Sequence, residues 1–371
     1  MSEAVSTAAR SAGHPERDLW ENPMGTDGFA FVEFAAPEPE ALHKLLKQLG
    51  FTAVARHRNR DCILFRQGHV NVAVTAAKEG HAGRFAEAHG PSACAMGFRV
   101  SEPDYVHAKL LELDATPAGE EHGSPTFSAP AIEGIGGSLV YLVAAKDEEE
   151  FYESEFEFFE GVERHPEGVG LILLDHLTHN VHRGRMDHWA KFYEKLFNFR
   201  EIRYFDIEGK LTGLKSRAMT GPDGKLRIPI NESAGKDGKT DQIEEYLEQY
   251  NGEGIQHIAL ATQDICATVD GLAANGVKFM TPPPETYYEM LDERLPGHGQ
   301  NVGELKKRAI LMDGTPDGKI LLQIFTETVI GPIFFEIISR KGDEGFGEGN
   351  FKALFESMER DQIRRGVLKA D

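Results

Sequence analysis

Glu336 lies in the apolar run Ile333-Phe334-Phe335-Glu336-Ile337-Ile338. A carboxylate inside such a run is costly unless it is paired, protonated or bound to a metal. Two histidines stand in comparable places. His176 follows Leu171-Ile172-Leu173-Leu174-Asp175, and His257 sits within Gly254-Ile255-Gln256-His257-Ile258-Ala259-Leu260. A buried neutral imidazole needs a partner for each nitrogen. Taken singly, each residue has an ordinary reading. His176 and His257 fit hydrogen-bonded core or surface histidines, and Glu336 fits an ion pair with Arg340. Taken together, they come from three separate strands at nearly equal intervals along the chain. Two imidazoles and one carboxylate leave three positions open on an octahedral metal, which is the facial-triad donor set of non-haem Fe(II) oxygenases. A structural zinc more often takes four protein ligands including cysteine, and no cysteine lies in these strands. His179 is three residues beyond His176. Side chains alternate faces along a strand, so only one of the two looks into a given cavity, and His176 is nearer the apolar part.

The elements that must position these residues follow from periodicity. Alternation and apolar runs predict strands over 29–34, 52–58, 62–66, 70–75, 93–100 and 138–143, with helices over 39–49 and 103–113. The stretch 146–167 is strongly acidic with interleaved aromatics (Phe151, Tyr152, Phe156, Phe158, Phe159) and reads as a linker laid on the surface with its aromatics docked on the domains. The order then repeats. Strands are predicted over 171–181, 199–207, 212–220, 226–231, 254–262, 309–313 and 320–326. Helices are predicted over 187–196, 242–250, 264–275 and 350–364, the last behind the glycine-rich Gly345-Phe346-Gly347-Glu348-Gly349.

Direct comparison supports an internal repeat. Leu49-Gly50-Phe51 matches Phe197-Asn198-Phe199, and Met96-Gly97-Phe98-Arg99-Val100 matches Gln256-His257-Ile258-Ala259-Leu260. The expected fold is α+β: two tandem half-barrel domains, each a pair of βαβββ units, with a C-terminal lid helix. The expected division is an arm over 1–25, an N-terminal domain over 26–150, an acidic linker over 151–170 and a catalytic domain over 171–371. Gly97 stands where the second half has His257, so one metal site per chain is expected. With 371 residues there is room for two domains. A net charge of −20 argues against a nucleic-acid partner. No long apolar run predicts a membrane span, and no secretory signal is read at the start. Cys62, Cys94 and Cys266 are isolated, which argues against a disulfide framework and suggests a cytoplasmic protein.

Several dispersed segments carry a resemblance. They are Asp175-His176-Leu177, Phe192-Tyr193, Arg227-Ile228-Pro229-Ile230-Asn231-Glu232, Gly254 to Ala259, Tyr287-Tyr288, Leu321-Leu322-Gln323-Ile324-Phe325, Phe335-Glu336, Gly345 to Phe351 and Arg365-Gly366. With them the chain, from about Gly25 on, resembles the 4-hydroxyphenylpyruvate dioxygenase family, a twofold-repeated branch of the vicinal-oxygen-chelate superfamily. The resemblance implies Fe(II) bound by His176, His257 and Glu336, and 4-hydroxyphenylpyruvate and O2 as substrates. It implies a substrate pocket of Ser216, Asn231, Gln242, Gln256, Gln323, Phe325, Phe334, Phe346 and Phe351. Within that set, Phe334 and Phe351 would hold the ring near iron. Gln242, with Ser216 and Asn231, would fix the phenol end, and Gln323 is the remaining catalytic position. The implied reaction is oxidative decarboxylation, ring hydroxylation and side-chain migration to homogentisate and CO2, in tyrosine and phenylalanine catabolism. A homo-oligomer, dimer or tetramer, is expected.

The residues themselves fit much of this. Gln323 and Phe325 share one strand face, and Phe346 and Phe351 flank a glycine-rich turn where they could clamp an aromatic ring. Plain core packing is the ordinary reading of any one of these phenylalanines, and a core amide that of Gln323. Gln256 adjoins His257, so on a regular strand it points away from the metal and its implied role requires a bulge or a broad pocket. Hydroxymandelate synthase, with the same substrate and metal, is the alternative within the fold. A non-catalytic binding member and an isomerase or extradiol-cleaving enzyme are the alternatives of other classes.

Overall fold

The computed structural model describes residues 18–119, 123–208, 211–235, 240–315 and 317–368. Its first half runs β1 (Phe29–Ala35), α1 (Glu40–Gln48), β2 (Thr52–His57), β3 (Cys62–Gln67), β4 (Val70–Thr75), α2 (Gly80–His89), β5 (Ser92–Val100), α3 (Pro103–Glu112), β6 (Ala131–Glu133), β7 (Leu139–Ala144), α4 (Glu148–Glu155) and β8 (Phe156–Phe158). The second half runs β9 (Leu171–Val181), α5 (Met186–Phe197), β10 (Arg200–Glu208), β11 (Gly213–Thr220), β12 (Arg227–Ser233), α6 (Gln242–Tyr250), β13 (Gly254–Thr262) and α7 (Ile265–Ala274). It continues through α8 (Glu285–Glu289), α9 (Leu291–Arg294), α10 (Val302–Lys307), β14 (Leu311–Gly314), β15 (Ile320–Phe325), β16 (Phe334–Lys341) and α11 (Glu348–Arg365).

Each half curls one eight-stranded sheet into a half-barrel. The strand orders are β6-β7-β5-β1-β4-β3-β2-β8 and β10-β11-β12-β9-β13-β16-β15-β14. The two sheets are built alike. Each has a central antiparallel pair, β1 with β5 or β9 with β13, flanked by parallel partners. Local sequence explains the helices that brace the second sheet. In α5, Met186, Trp189, Ala190, Tyr193, Leu196 and Phe197 are buried at helical spacing, and Asn198 ends the helix in the left-handed region at φ 55°. In α6, Asp241 and Glu244 form a reciprocal capping box that satisfies the first free N–H groups.

Three expectations change here. The acidic stretch is not a surface linker over its first part. Its residues form α4 and β8, and β8 pairs antiparallel with β2 at the sheet's end, His57 opposite Phe156 and Ala55 opposite Phe158. The acids that suggested solvent have partners: Glu148 pairs with Arg99, Glu149 pairs with Arg66, and Glu155 hydrogen-bonds His57. Only 159–170 connects the halves. Secondly, residues 18–25 of the expected loose arm are anchored on the second half. Trp20 Nε1 donates to Asn198 O at 2.7 Å, and Leu19 N donates to Pro222 O at 2.7 Å; residues 1–17 lie outside the described residues. Thirdly, α2 and the short helices α8 to α10 were not predicted. α2 reads Gly-His-Ala-Gly at its start, weak helix formers, but a Cβ on Gly83 would meet the Lys78 carbonyl carbon at 2.2 Å. Packing there, not propensity, sets the residue.

The first half also shows why its counterpart of the His257 strand carries no ligand. A Cβ on Gly97 would lie 2.6 Å from the Phe31 ring. Phe31, Phe127 and Tyr141 pack around one another and fill that interior.

Candidate metal centre

His176, His257 and Glu336 come together because of the register of three adjacent strands. Ala259 of β13 stands opposite His176 of β9 on one side and Glu336 of β16 on the other. His257 is two residues along the same strand and so on the same face. The intervening alanine leaves space where the three longer side chains converge. His176 Nε2 lies 3.1 Å from Glu336 Oε2, His257 Nε2 lies 3.3 Å from the same oxygen, and the two Nε2 atoms are 3.3 Å apart. All three residues are buried, and they form the only metal-competent group of this kind found among the described residues.

The donor chemistry fits a cation. Asp175 Oδ1 is 2.8 Å from His176 Nδ1, and Gln256 Oε1 is 3.2 Å from His257 Nδ1. Each Nδ1 thus faces an acceptor and carries the proton, which leaves both Nε2 lone pairs directed at each other and at a carboxylate oxygen. Thr178 Oγ1, 2.8 Å from His257 Nε2, can donate to one of them. Without a proton or a cation the remaining arrangement of lone pairs is repulsive. Burial pushes the Glu336 carboxyl up, but the two adjacent imidazoles outweigh it and hold it down to about 2. Burial likewise opposes charge on His176, yet Glu336 and Asp175 raise its pKa overall. For His257 burial wins and the pKa is lowered. The second oxygen, Glu336 Oε1, accepts from Gln323 Nε2 at 2.8 Å. Gln323 Oε1 in turn accepts from Asn350 Nδ2 at 2.8 Å, and Asn350 Oδ1 from Tyr287 OH at 2.8 Å. Asp175 is buried between Arg340 and Arg227; burial raises its pKa, but the two guanidinium groups hold it well below the usual carboxylate range.

Most expected pocket residues line one cavity with the triad. Ser216, Asn231, Gln323, Phe325, Phe346 and Phe351 surround it, joined by Thr178, Phe205, Pro229 and Leu354. Ser216 Oγ and Asn231 Oδ1 are buried there with no protein partner, so that wall offers polar groups to a ligand. Phe334 is fully buried and does not line this cavity; its ring stacks on His257 at 4.9 Å and 23°. Gln256 sits at a break in register between Ile255 and His257, the bulge that its implied role required. Gln242 and Gln256 line a neighbouring cavity of about 330 Å³ between α6 and α11. His179 points to the other face, its Nε2 2.7 Å from Tyr193 OH. The triad cavity itself has only about 30 Å³ of space for water-sized molecules, far below the several hundred Å³ typical of ligand pockets. Phe351 and Leu354 of α11 form part of its wall.

Thr178 and Pro229 could have been found in sequence, since each is two residues from a named site residue on the same strand face. Leu354 could have been found too, since it is one turn beyond Phe351 on the predicted helix; Phe205 could not, because an edge strand delivers it. Asp175 was visible only as a neighbour of His176.

Two half-barrels of paired βαβββ units, with a buried two-histidine, one-carboxylate cluster in the second, define a vicinal-oxygen-chelate protein with a group that could hold a metal ion. Residues 20–157 match the model described as hydroxyphenylpyruvate dioxygenase, N-terminal, and residues 173–294 match that of the glyoxalase/bleomycin resistance protein/dioxygenase superfamily. The chain is 56% identical, over 95% of its length and 100% of the relative's, to a 4-hydroxyphenylpyruvate dioxygenase of Pseudomonas sp. (strain P.J. 874). It is 55% identical to hemolysin VllY of Vibrio vulnificus, over 94% of this chain and 98% of that one. Among solved structures, a xylose isomerase-like TIM barrel/4-hydroxyphenylpyruvate dioxygenase fusion protein matches with TM-score 0.77 and 31% identity, over 92% of this chain and 54% of that one. A mutant 4-hydroxymandelate synthase from Streptomyces coelicolor shares the fold, with TM-score 0.78 and 24% identity over 91% of this chain and 100% of that one. The chain belongs to the 4-hydroxyphenylpyruvate dioxygenase family. No helix among the described residues is long and apolar enough to cross a membrane.

Proposed function

We propose that this protein converts 4-hydroxyphenylpyruvate and O2 to homogentisate and CO2, using Fe(II) held by His176, His257 and Glu336. The observation that carries the reading is the set of three convergent donors whose remaining polar atoms are already committed to Asp175, Gln256 and Gln323. A cation held by those three groups would keep positions free for the 2-oxo acid and O2. Bound Fe(II) supplies the redox chemistry, and the protein supplies orientation and exclusion of water.

The chain's own groups divide that work. Asp175 and Gln256 fix the tautomers of the two imidazoles, and Phe334 holds the His257 ring by stacking. Gln323 engages Glu336 Oε1 and so leaves Oε2 toward the imidazoles. Phe325, Phe346 and Phe351 provide apolar walls for an aromatic ring, and Ser216 and Asn231 offer hydrogen bonds to its phenol. Gln242, from the adjoining cavity between α6 and α11, would join them at the phenol end, and α11 acts as the lid. The same reading places the protein in tyrosine and phenylalanine catabolism in the cytoplasm, as a dimer or tetramer.

The test is anaerobic loading with Fe(II), then addition of 4-hydroxyphenylpyruvate and O2, with the product identified by chromatography. Homogentisate is expected. 4-Hydroxymandelate would move the chain to the other activity of this fold, and absence of O2 uptake would rule out both.

A further inference from the structure

Asp175 is a junction as well as the partner of His176. Arg340 grips it with two nitrogens, Nε to Oδ2 at 2.8 Å and Nη2 to Oδ1 at 2.7 Å. The third nitrogen, Arg340 Nη1, donates to Gly345 O at 2.5 Å and Asp343 O at 3.1 Å. Arg227, buried like Asp175, reaches Asp175 Oδ2 at 3.5 Å with one nitrogen and pairs with Glu344 through another. Residues 343–345 are the turn that leads into α11. The next residue, Phe346, sets its ring edge-on to His176 at 5.6 Å and lies under the Arg340 guanidinium at 6.0 Å. One planar fork therefore holds both the carboxylate behind a metal-facing imidazole and the backbone on which the lid turns.

We propose that Arg340 is a positioning residue that ties the hinge of α11 to His176, so that metal binding and closure of α11 form one coupled equilibrium. The physical basis is geometric. If the hinge moves, Gly345 O and Asp343 O leave the guanidinium and the Arg340 fork loses its orientation. Asp175 then ceases to aim His176 Nδ1–H, and His176 Nε2 swings off the site. Metal binding fixes His176 and thereby favours the hinge conformation that Arg340 prefers. Coupling of this kind is reciprocal. The proposal rests on the metal assignment made above, but not on the identity of the product.

The test needs no substrate. Fe(II) affinity is measured anaerobically, and amide hydrogen exchange over residues 343–351 is followed with and without Fe(II). In the unaltered protein Fe(II) slows that exchange about tenfold or more. In Arg340→Gln the exchange is fast and insensitive to Fe(II), and affinity falls about 10- to 100-fold, the range typical for loss of an outer-shell partner. A purely structural ion pair would change stability without making exchange metal-dependent. Far-UV circular dichroism checks that the variant folds. If it does not, Glu344→Ala serves instead, because Glu344 is half-exposed and its loss frees the hinge from Arg227 alone; faster exchange at 343–351 with several-fold weaker Fe(II) binding is expected. Unchanged Fe(II) affinity in the folded variant, or exchange that ignores Fe(II) in the unaltered protein, overturns the proposal. Homogentisate production with either result leaves the assigned reaction standing. 4-Hydroxymandelate with intact coupling overturns only the reaction. An unaltered protein that binds no Fe(II) overturns both.

Discussion

His179 is the histidine most easily mistaken for a ligand, and the pleat removes it. It is fully buried on the opposite face of β9, bonded to Tyr193 OH, and burial holds its pKa down to about 3, so it is neutral. His257→Ala is expected to abolish stoichiometric Fe(II) binding, whereas His179→Ala keeps it and loses about 1–3 kcal/mol of stability, the cost of an unpaired buried hydroxyl. Metal content by mass spectrometry and urea unfolding check the two halves of that statement; loss of metal in His179→Ala would show the face assignment to be wrong. The same alternation rule directs Gln256 away from the metal, and its side chain lines the neighbouring cavity; what alternation cannot foresee is the register break between Ile255 and His257, beside which Gln256 Oε1 reaches the back of the His257 ring. Glu33 makes a different point. It is fully buried in the first half, with Thr75 donating to Oε1 at 2.7 Å and Oε2 unpartnered. Burial raises its pKa above the ordinary 4.5. The folded chain therefore binds more protons than the unfolded chain between 4.5 and the raised value, so its contribution to stability falls as pH rises through that window. Glu33→Gln should leave stability near pH 4 almost unchanged and increase it at pH 8 relative to the parent. Equal effects at both pH values would mean that Glu33 is charged in the fold.

At the scale of elements, α11 was legible as a helix behind a glycine-rich hinge, but its fastening was not. Glu359 in its fourth turn accepts from Leu211 N at 2.9 Å, Thr212 N at 2.8 Å and Thr212 Oγ1 at 2.9 Å. Arg365 at its end pairs with Glu245 of α6. No periodic pattern reports bonds between segments so far apart in sequence. Glu359→Ala leaves those two N–H groups to find other partners, at a cost of about 1–3 kcal/mol. The expected result is faster hydrogen exchange along α11, with β13 and β16 unchanged. Protection lost equally across the sheet would mean that α11 is part of the core and not a separable lid. The acidic stretch before the second half teaches the converse. The interleaved aromatics do dock, with Tyr152 of α4 and Phe156 of β8 buried, but composition gave no sign that β8 completes a sheet. Charge density was misread because its partners, Arg66 and Arg99, lie far away in sequence.

The repeat made the twofold architecture readable from a single chain, whereas the way the halves join was not readable. Phe98 of β5 packs edge-on to Phe197 at 5.1 Å and near Phe199 at 6.4 Å, both from the second half. Gly28 N donates to Asp223 Oδ2 at 2.7 Å, and the His89 ring stacks on Tyr250 at 4.7 Å. Apolar side chains of both halves belong to one continuous core. Such an interface predicts one cooperative unfolding transition and not two. The probes to test this are distributed conveniently. Trp189 and Trp20 report on the second half, since Trp20 packs against Asn198 and Arg200. Cys62 and Cys94 are buried in the first half, while Cys266 is only partly buried. In a urea titration the reactivity of the two buried thiols should therefore appear at the same midpoint as the change in tryptophan fluorescence. Phe98→Ala, which empties a ring-sized space at the junction, should move both curves together to lower urea, by about 3–5 kcal/mol of stability. If the thiols become reactive well before the fluorescence changes, the first half unfolds on its own and the shared core does not couple them. The mutation would then shift the thiol curve alone.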